Sequence, residues 1–379
     1  MNLKTTAYFL GAFYFFFFAH VGVVMIYMPK VLYDLGYSAF DIGVLYSIIP
    51  ITRFIVPFFF VKNELNRAVF LSSLLAFSLA SFILLFTIKS FFLFGLNLFI
   101  IGVCIAIMPP YIETIAIGLL KKERYGRVRL FGSIGFALVA LVLSYFVDNY
   151  ISVVLFLAIF VTISAILAYY ISLANVTHGI TTEDPKSGFR FRDEIGLWIN
   201  IFLLQLSFGA FYGFFTIYET ELGFSVEMVS YFWIFGVVCE IAMLYFQTTL
   251  MKRFSLMALI KFSSFATAIR WLMLYAYGDD MVMVFISQSF HALSFALFHS
   301  AVISYLFAHY EKKKLAQQFY YGIAYGLGMF AGSIFAGAIY GEYIFLIAAG
   351  ITFLSFLALY IKPKRLAKDA PSVEKSKNT

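Results

Sequence analysis

Apolar stretches of about twenty residues recur along nearly the whole chain, and water cannot accommodate so many of them. At about 1.5 Å of rise per residue, each stretch as a helix matches the ~30 Å hydrocarbon core of a bilayer. Lipid offers no partner to backbone N–H and C=O groups, so segments of this kind must satisfy them internally, as helices. Twelve spans are read near 5–28, 39–61, 68–88, 91–120, 127–147, 150–174, 195–218, 226–250, 255–277, 281–308, 315–340 and 343–361. Composition agrees: 12% of residues are charged, against roughly 25% in a soluble domain. The expectation is an all-α membrane protein. A cleaved leader is not expected, because the first span is too long and no small-residue cleavage site interrupts its Phe run.

The formal charge of +7 has a topological explanation rather than a nucleic-acid one. With both termini placed in the cytoplasm, Lys62, Arg67, Lys121, Lys122, Arg124, Arg127, Lys186, Arg190, Arg192, Lys252, Arg253 and Lys312–Lys314 all fall in inner loops. Outer loops hold only Lys30 and Lys89, and are otherwise marked by Asp148, Glu219, Glu221, Asp279, Asp280 and Glu342. That asymmetry obeys the positive-inside rule and supports an even number of spans. The expected location is the inner or plasma membrane. The two cysteines, Cys104 and Cys239, sit within spans and read as small buried apolar residues rather than a disulfide or a metal pair. Neither a CxxC nor an HExxH motif occurs, and no metal or cofactor is expected.

The chain also repeats itself. Leu35-Gly36-Tyr37-Ser38-Ala39-Phe40-Asp41-Ile42 returns as Leu222-Gly223-Phe224-Ser225-Val226-Glu227-Met228-Val229, each at the loop opening the second helix of a half. Lys121-Lys122 before span 5 is echoed by Lys312-Lys313-Lys314 before span 11. The expected domains are a six-helix bundle over 1–174, a cytoplasmic linker over 175–194, a second bundle over 195–361 and a disordered tail over 362–379. Two parallel six-helix repeats place a binding site near the midplane, where the halves meet.

Ionisable residues inside spans are costly and mark functional sites by default. Pro110-Tyr111-Ile112-Glu113 puts a carboxylate in span 4, and Arg129 opens span 5 sixteen residues later, so the two can meet across the helix pair. Arg53 lies between Pro50 and Pro57, where proline distortion favours a cavity wall. By helical rise Glu240 lies about 20 Å deep, Arg270 roughly 13 Å and His291 about 15 Å, depths at which all three can share one cavity. His20, Gln288, His299 and Gln318 are further candidates for lining it. His291 and His299 are about 80° apart around a helix, so a shared metal is not expected.

Tyr125-Gly126-Arg127-Val128-Arg129-Leu130-Phe131-Gly132-Ser133-Ile134-Gly135-Phe136-Ala137 resembles the start of helix 5 in the lactose permease and phenylpropionate permease branch of the major facilitator superfamily. Pro110-x-x-Glu113 resembles that branch's helix 4. Cys239-Glu240-Ile241, Ala268-Ile269-Arg270-Trp271 and His291-Ala292-Leu293-Ser294 sit where the branch carries embedded charges, and Gln317-Gln318-Phe319-Tyr320-Tyr321-Gly322 is similar to its helix 11. The resemblance implies the major facilitator fold and no enzymatic activity. It implies substrate binding by Glu113 and Arg129, and proton coupling through Glu240, Arg270 and His291.

Two departures qualify this. Sugar permeases carry an acid three residues after the helix 10 His, where this chain has Ser294, and the loop signature at Val61–Arg67 is degenerate. The alternative reading of Arg129 is the last member of a basic cluster after Arg124 and Arg127. That of Glu240 with Arg270 is a static ion pair, and that of His20, His291 and His299 is ordinary hydrogen-bonded core histidine. Embedded charge counts Arg53, Arg129 and Arg270 against Glu113 and Glu240, a surplus of one positive charge. The expected function is therefore proton symport of a small carboxylate, aromatic ones included, by a monomer using alternating access. A sugar or nucleoside symporter is the alternative, and a non-transporting sensor or scaffold is the alternative of another class.

Overall fold

A computed structural model describes residues 3–60, 65–120, 122–146, 149–173 and 191–361. Its helices are numbered α1–α12 in chain order. The first six are Thr5–Asp34, Ala39–Phe59, Arg67–Thr87, Phe91–Leu119, Tyr125–Leu143 and Tyr150–Ser172. The second six are Phe191–Glu221, Val226–Arg253, Leu256–Tyr277, Met281–His309, Leu315–Ala338 and Ile344–Ala358. Eleven are long and apolar enough to cross a membrane. The span read over 343–361 forms a 15-residue helix, α12, about 22 Å long. Most of the linker, residues 174–190, and the tail at 362–379 lie outside the described residues, as do Val61–Glu64 and Lys121.

The repeated octapeptide is a helix stop followed by a helix start. After α1 the chain turns through Gly36 at φ 89°, and after α7 through Gly223 at φ 102°, a left-handed conformation that glycine adopts without a Cβ penalty. In both turns the amide two residues past the last helical turn reaches back to it. Tyr37 N donates to Leu32 O at 3.1 Å, and Phe224 N donates to Glu219 O at 3.1 Å, the pattern of a Schellman cap. Ser38 then caps α2 by accepting from Asp41 N at 3.1 Å. Ser225 caps α8 by accepting from Met228 N at 3.2 Å. One local chemistry, used twice, sets the angle between the first two helices of each half.

Packing repeats as well. In the first half α1 packs on α5 and α6, α2 on α4, and α3 on α4 and α6; in the second α7 packs on α11 and α12, α8 on α10, and α9 on α10 and α12. Each contact recurs six helices later, as two parallel repeats require. Small residues make the closest seams. A Cβ at Gly135 of α5 would lie 2.1 Å from Phe15 O of α1, and one at Gly209 of α7 would lie 2.2 Å from Gly332 C of α11. Between the halves α2 runs along α11, where a Cβ at Gly43 would lie 2.5 Å from Ser333 O. Three π-helical segments, Val23–Tyr27 in α1, Ala292–Leu297 in α10 and Gly322–Gly328 in α11, interrupt the regular ladder. Such segments gather at functional sites.

Because α1 starts and α12 ends at one face of the bundle, the opposite face is called the far end. There the halves are tied by hydroxyls. Tyr33 of the first half donates to Glu221 Oε1 of the second at 2.6 Å; within the second half, Tyr340 donates to Glu221 Oε2 at 2.6 Å. Tyr145 donates to Glu227 at 2.8 Å, and the Tyr27 hydroxyl lies 3.1 Å from Ser230 Oγ. Hydrogen bonds to Tyr231 and Glu227 hold the Tyr145 hydroxyl above the ordinary tyrosine range. Burial, then Glu221, does the same for Tyr340. Both therefore remain donors at neutral pH. One expectation is corrected here. Glu219, counted among the outer-loop acids, lies within α7 and is fully buried. Helix α7 extends three residues past the span end read at 218, and the burial comes from the helices packed around its last turn.

Candidate functional site

In the first half, α5 is threaded against α1 by Gly11, Gly132 and Gly135, which sets Arg129 over α1. Its guanidinium lies 5.9 Å from the Tyr14 ring centre and 5.8 Å from that of Phe18. Arg129 Nη1 donates to Glu113 Oε1 of α4 at 2.8 Å, and the Tyr125 hydroxyl donates to the same oxygen. The acid and the base therefore meet, with Tyr125 as a third member that only the spacing of four to Arg129 hinted at. Both charged side chains are open rather than sealed, Arg129 at 48% and Glu113 at 38% exposure. A pair held open in this way contributes only about 0–1 kcal/mol to stability.

Arg53 of α2 is exposed and makes no ion pair among the described residues. Its direction follows from the helix. Tyr46, Pro50 and Arg53 share one face at i, i+4 and i+7, and Tyr46 donates to Val24 O of α1 at 2.6 Å. That face looks toward α1, not toward lipid, where Phe58 and Phe59 project. His20 differs from expectation. It is 3% exposed and packs edge-on between Phe17 and Phe77, at 4.8 and 5.5 Å, in the α1–α3 contact rather than on a cavity wall.

In the second half, Arg270 of α9 is fully buried. Its Nη1 reaches His291 Nδ1 at 3.0 Å and donates to Ser294 Oγ at 3.1 Å, and its Nη2 donates to Gln288 Oε1 at 2.9 Å. The guanidinium also sits 4.3 Å from the Phe211 ring centre. Arginine only donates, so Nδ1 of His291 must accept, and in the neutral ring the proton lies on Nε2. That nitrogen faces Glu240 Oε2 at 3.5 Å. No direct Glu240–Arg270 ion pair forms among the described residues; the two are joined through the imidazole as Glu240–His291–Arg270. Ser294, where the sugar permeases carry an acid, here accepts from the arginine, whose Nε has no hydrogen-bond partner among the described residues. Gln288 belongs to the same cage, buried at 1% exposure.

His299 Nδ1 lies 3.1 Å from both the Tyr320 and the Tyr325 hydroxyls, beside the π-helical segment of α11. Gln318 is exposed near the start of α11 and has no hydrogen bond to any of these groups among the described residues. No cluster of three or more His, Cys, Asp and Glu suited to a metal occurs among the described residues. Cys104 and Cys239 are free thiols. An apolar cleft of about 470 Å³ on α8, lined by Cys239, Met243 and Phe246 among others, holds no charged group and stands apart from this chemistry.

Residues 8–355 match the MFS_1 like family. A probable 3-phenylpropionic acid transporter of Escherichia coli (strain K12) is 26% identical over 250 residues, 63% of this chain. The match spans 65% of that relative's length. The nucleoside transporter NupG superposes with a TM-score of 0.78 at 17% identity, over 96% of this chain and 100% of that one. The E. coli fucose:proton symporter FucP gives 0.60 at 14% identity, over 96% and 100%. At those identities the structures speak for the fold alone. Twelve apolar helices in two parallel repeats, with charges embedded in both, accord with the family match: the chain belongs to the MFS_1 like family and is a multi-pass membrane protein.

Proposed function

We propose that this protein moves a small carboxylate together with a proton by alternating access between two sides of a cell membrane, with its termini in the cytoplasm. The observation that carries the substrate charge is Arg53, an exposed guanidinium inside the membrane-spanning region whose face looks toward α1 and which has no anion of its own. Embedded charge is expensive unless balanced, and an entering carboxylate supplies the missing partner. The Arg129–Glu113–Tyr125 group offers a planar fork suited to a carboxylate. The phenylpropionic acid named for the E. coli relative is such a molecule, and it makes an aromatic acid the first candidate. Glu240 and His291 supply the coupling: a proton on one is felt by the other, and through Nδ1 by Arg270. In this reading the hydroxyl ties at the far end belong to a state closed on the side away from the termini.

Competition tests the substrate class. Against the best-binding solute found by thermal stabilisation of the purified protein, carboxylates compete and their uncharged amides do not. Substituting Arg53 with glutamine removes that preference. Equal competition by amides, sugars or nucleosides overturns the carboxylate reading in favour of a neutral substrate.

A further inference from the structure

The far end holds a third embedded acid, beside Glu113 and Glu240. Glu219, in the last turn of α7, is fully buried, and neither carboxyl oxygen has a hydrogen-bond partner among the described residues. Its helical face is defined by its neighbours at i−7 and i−3. Tyr212 stacks on Trp233 of α8 at 6.2 Å, and Thr216 accepts from Trp233 Nε1 at 3.3 Å. Glu219 thus lies on the side of α7 that meets α8, level with the Tyr27–Ser230 contact between the halves. Two residues on, Glu221 is the opposite case, exposed and holding two tyrosine hydroxyls.

Nothing nearby is suited to balance an ionised Glu219. Among the described residues the far end carries two cations. Lys30 is held by Asp34, and Lys89 sits 5.1 Å from the Tyr150 ring centre. The other titratable groups there are acids or phenols. They are Tyr27, Tyr33 and Asp34 on α1, Asp41 on α2, Tyr145 after α5, Tyr218 and Glu221 on α7, and Glu227 and Tyr231 on α8. Tyr37 between α1 and α2, Tyr150 of α6, Tyr275 and Tyr277 of α9, Asp279 and Asp280 at the α9–α10 turn, and Tyr340, Glu342 and Tyr343 between α11 and α12 are the others. The field of these acids opposes another negative charge. A carboxylate buried without a partner costs far more than the same group carrying a proton.

We propose that Glu219 is a proton-binding site separate from Glu240 and His291, filled when the far end is closed. Opening parts the halves and lets water reach the carboxyl, which releases its proton to the far-side solution; closing requires that a proton be taken back. Acid on the far side thereby favours the closed gate. A neutral Glu219 also leaves the surplus at Arg53 intact. The site rests on the burial of Glu219 and not on any substrate.

The test uses the full chain reconstituted in lipid, with Cys104 and Cys239 replaced by alanine and spin labels at Phe40→Cys and Tyr277→Cys. Both labelled positions are exposed at the far end, one in each half. The parent's label distances lengthen as pH rises, and Glu219→Gln, a near-isosteric stand-in for the protonated acid, keeps the short distance at every pH. Infrared spectra of the unlabelled wild type show a carboxylic-acid carbonyl band at neutral pH that Glu219→Gln lacks. A Gln variant with the parent's pH dependence, or a wild type without that band, overturns the proposal. If the Gln variant fails to fold, the wild-type carbonyl band decides alone: its presence supports the proposal and its absence overturns it. Distances that respond to Na⁺ or K⁺ at fixed pH make the site a metal-cation site instead, and equally overturn it.

Discussion

Arg129→Lys is expected to cut substrate affinity on the order of a hundredfold and to leave the folded protein in place. The guanidinium touches Glu113 through Nη1 at 2.8 Å, leaving further donors of a rigid fork to meet a carboxylate in two parallel bonds. Lysine keeps the charge but concentrates it on one ammonium that cannot present that fork. Losing such a contact lowers affinity on the order of a hundredfold, at about 1.4 kcal/mol per tenfold. The fold does not depend on it. The ion pair is close to half exposed, and α5 is fixed to α1 by Gly132 and Gly135 rather than by charge. The check is ligand-induced thermal stabilisation measured beside unliganded melting temperature and yield. Wild-type affinity in the lysine variant makes Arg129 a member of the basic cluster only.

Glu240→Gln is expected to lose uphill accumulation while exchange of substrate across the membrane persists. An amide keeps the shape and can still face His291 Nε2, 3.5 Å from Glu240 Oε2, but it cannot cycle a proton. His291 cannot take over the carrier's part alone. Its Nδ1 accepts from Arg270, and a second ring proton there would meet a donor instead of an acceptor. Vesicles carrying the variant, given a pH gradient and labelled substrate, report the two activities separately. Accumulation at the wild-type level removes Glu240 from the coupling path.

What was legible in the sequence followed from strong, local physics. Apolar length gave the helices, and Leu-Gly-x-Ser at 35–38 and 222–225 gave the repeat because each copy is a glycine stop followed by a serine cap. A separation of sixteen residues across one turn was enough to bring Glu113 to Arg129. The rest depended on tertiary placement that periodicity does not encode. Depth alone put Glu240, Arg270 and His291 together, but it left open whether Glu240 met Arg270 directly. The imidazole intervenes from the head of the π-helical segment of α10, with Nδ1 on Arg270 and Nε2 facing Glu240. His20 has the depth of a cavity residue, yet its side of α1 is the one covered by Phe77 of α3. Glu219 looked like a loop acid because it neighbours Glu221 in an acidic run; its full burial in the last turn of α7 comes from tertiary packing that the run does not encode.

Uptake by wild-type protein in sealed proteoliposomes tests proton-coupled carboxylate transport most directly. With an inward proton gradient imposed, labelled 3-phenylpropionate should rise inside above its outside concentration, fall back to equilibrium when a protonophore is added, and carry protons in with it. Uptake that stops at equilibrium despite the gradient, or is matched by the corresponding amide, contradicts the account.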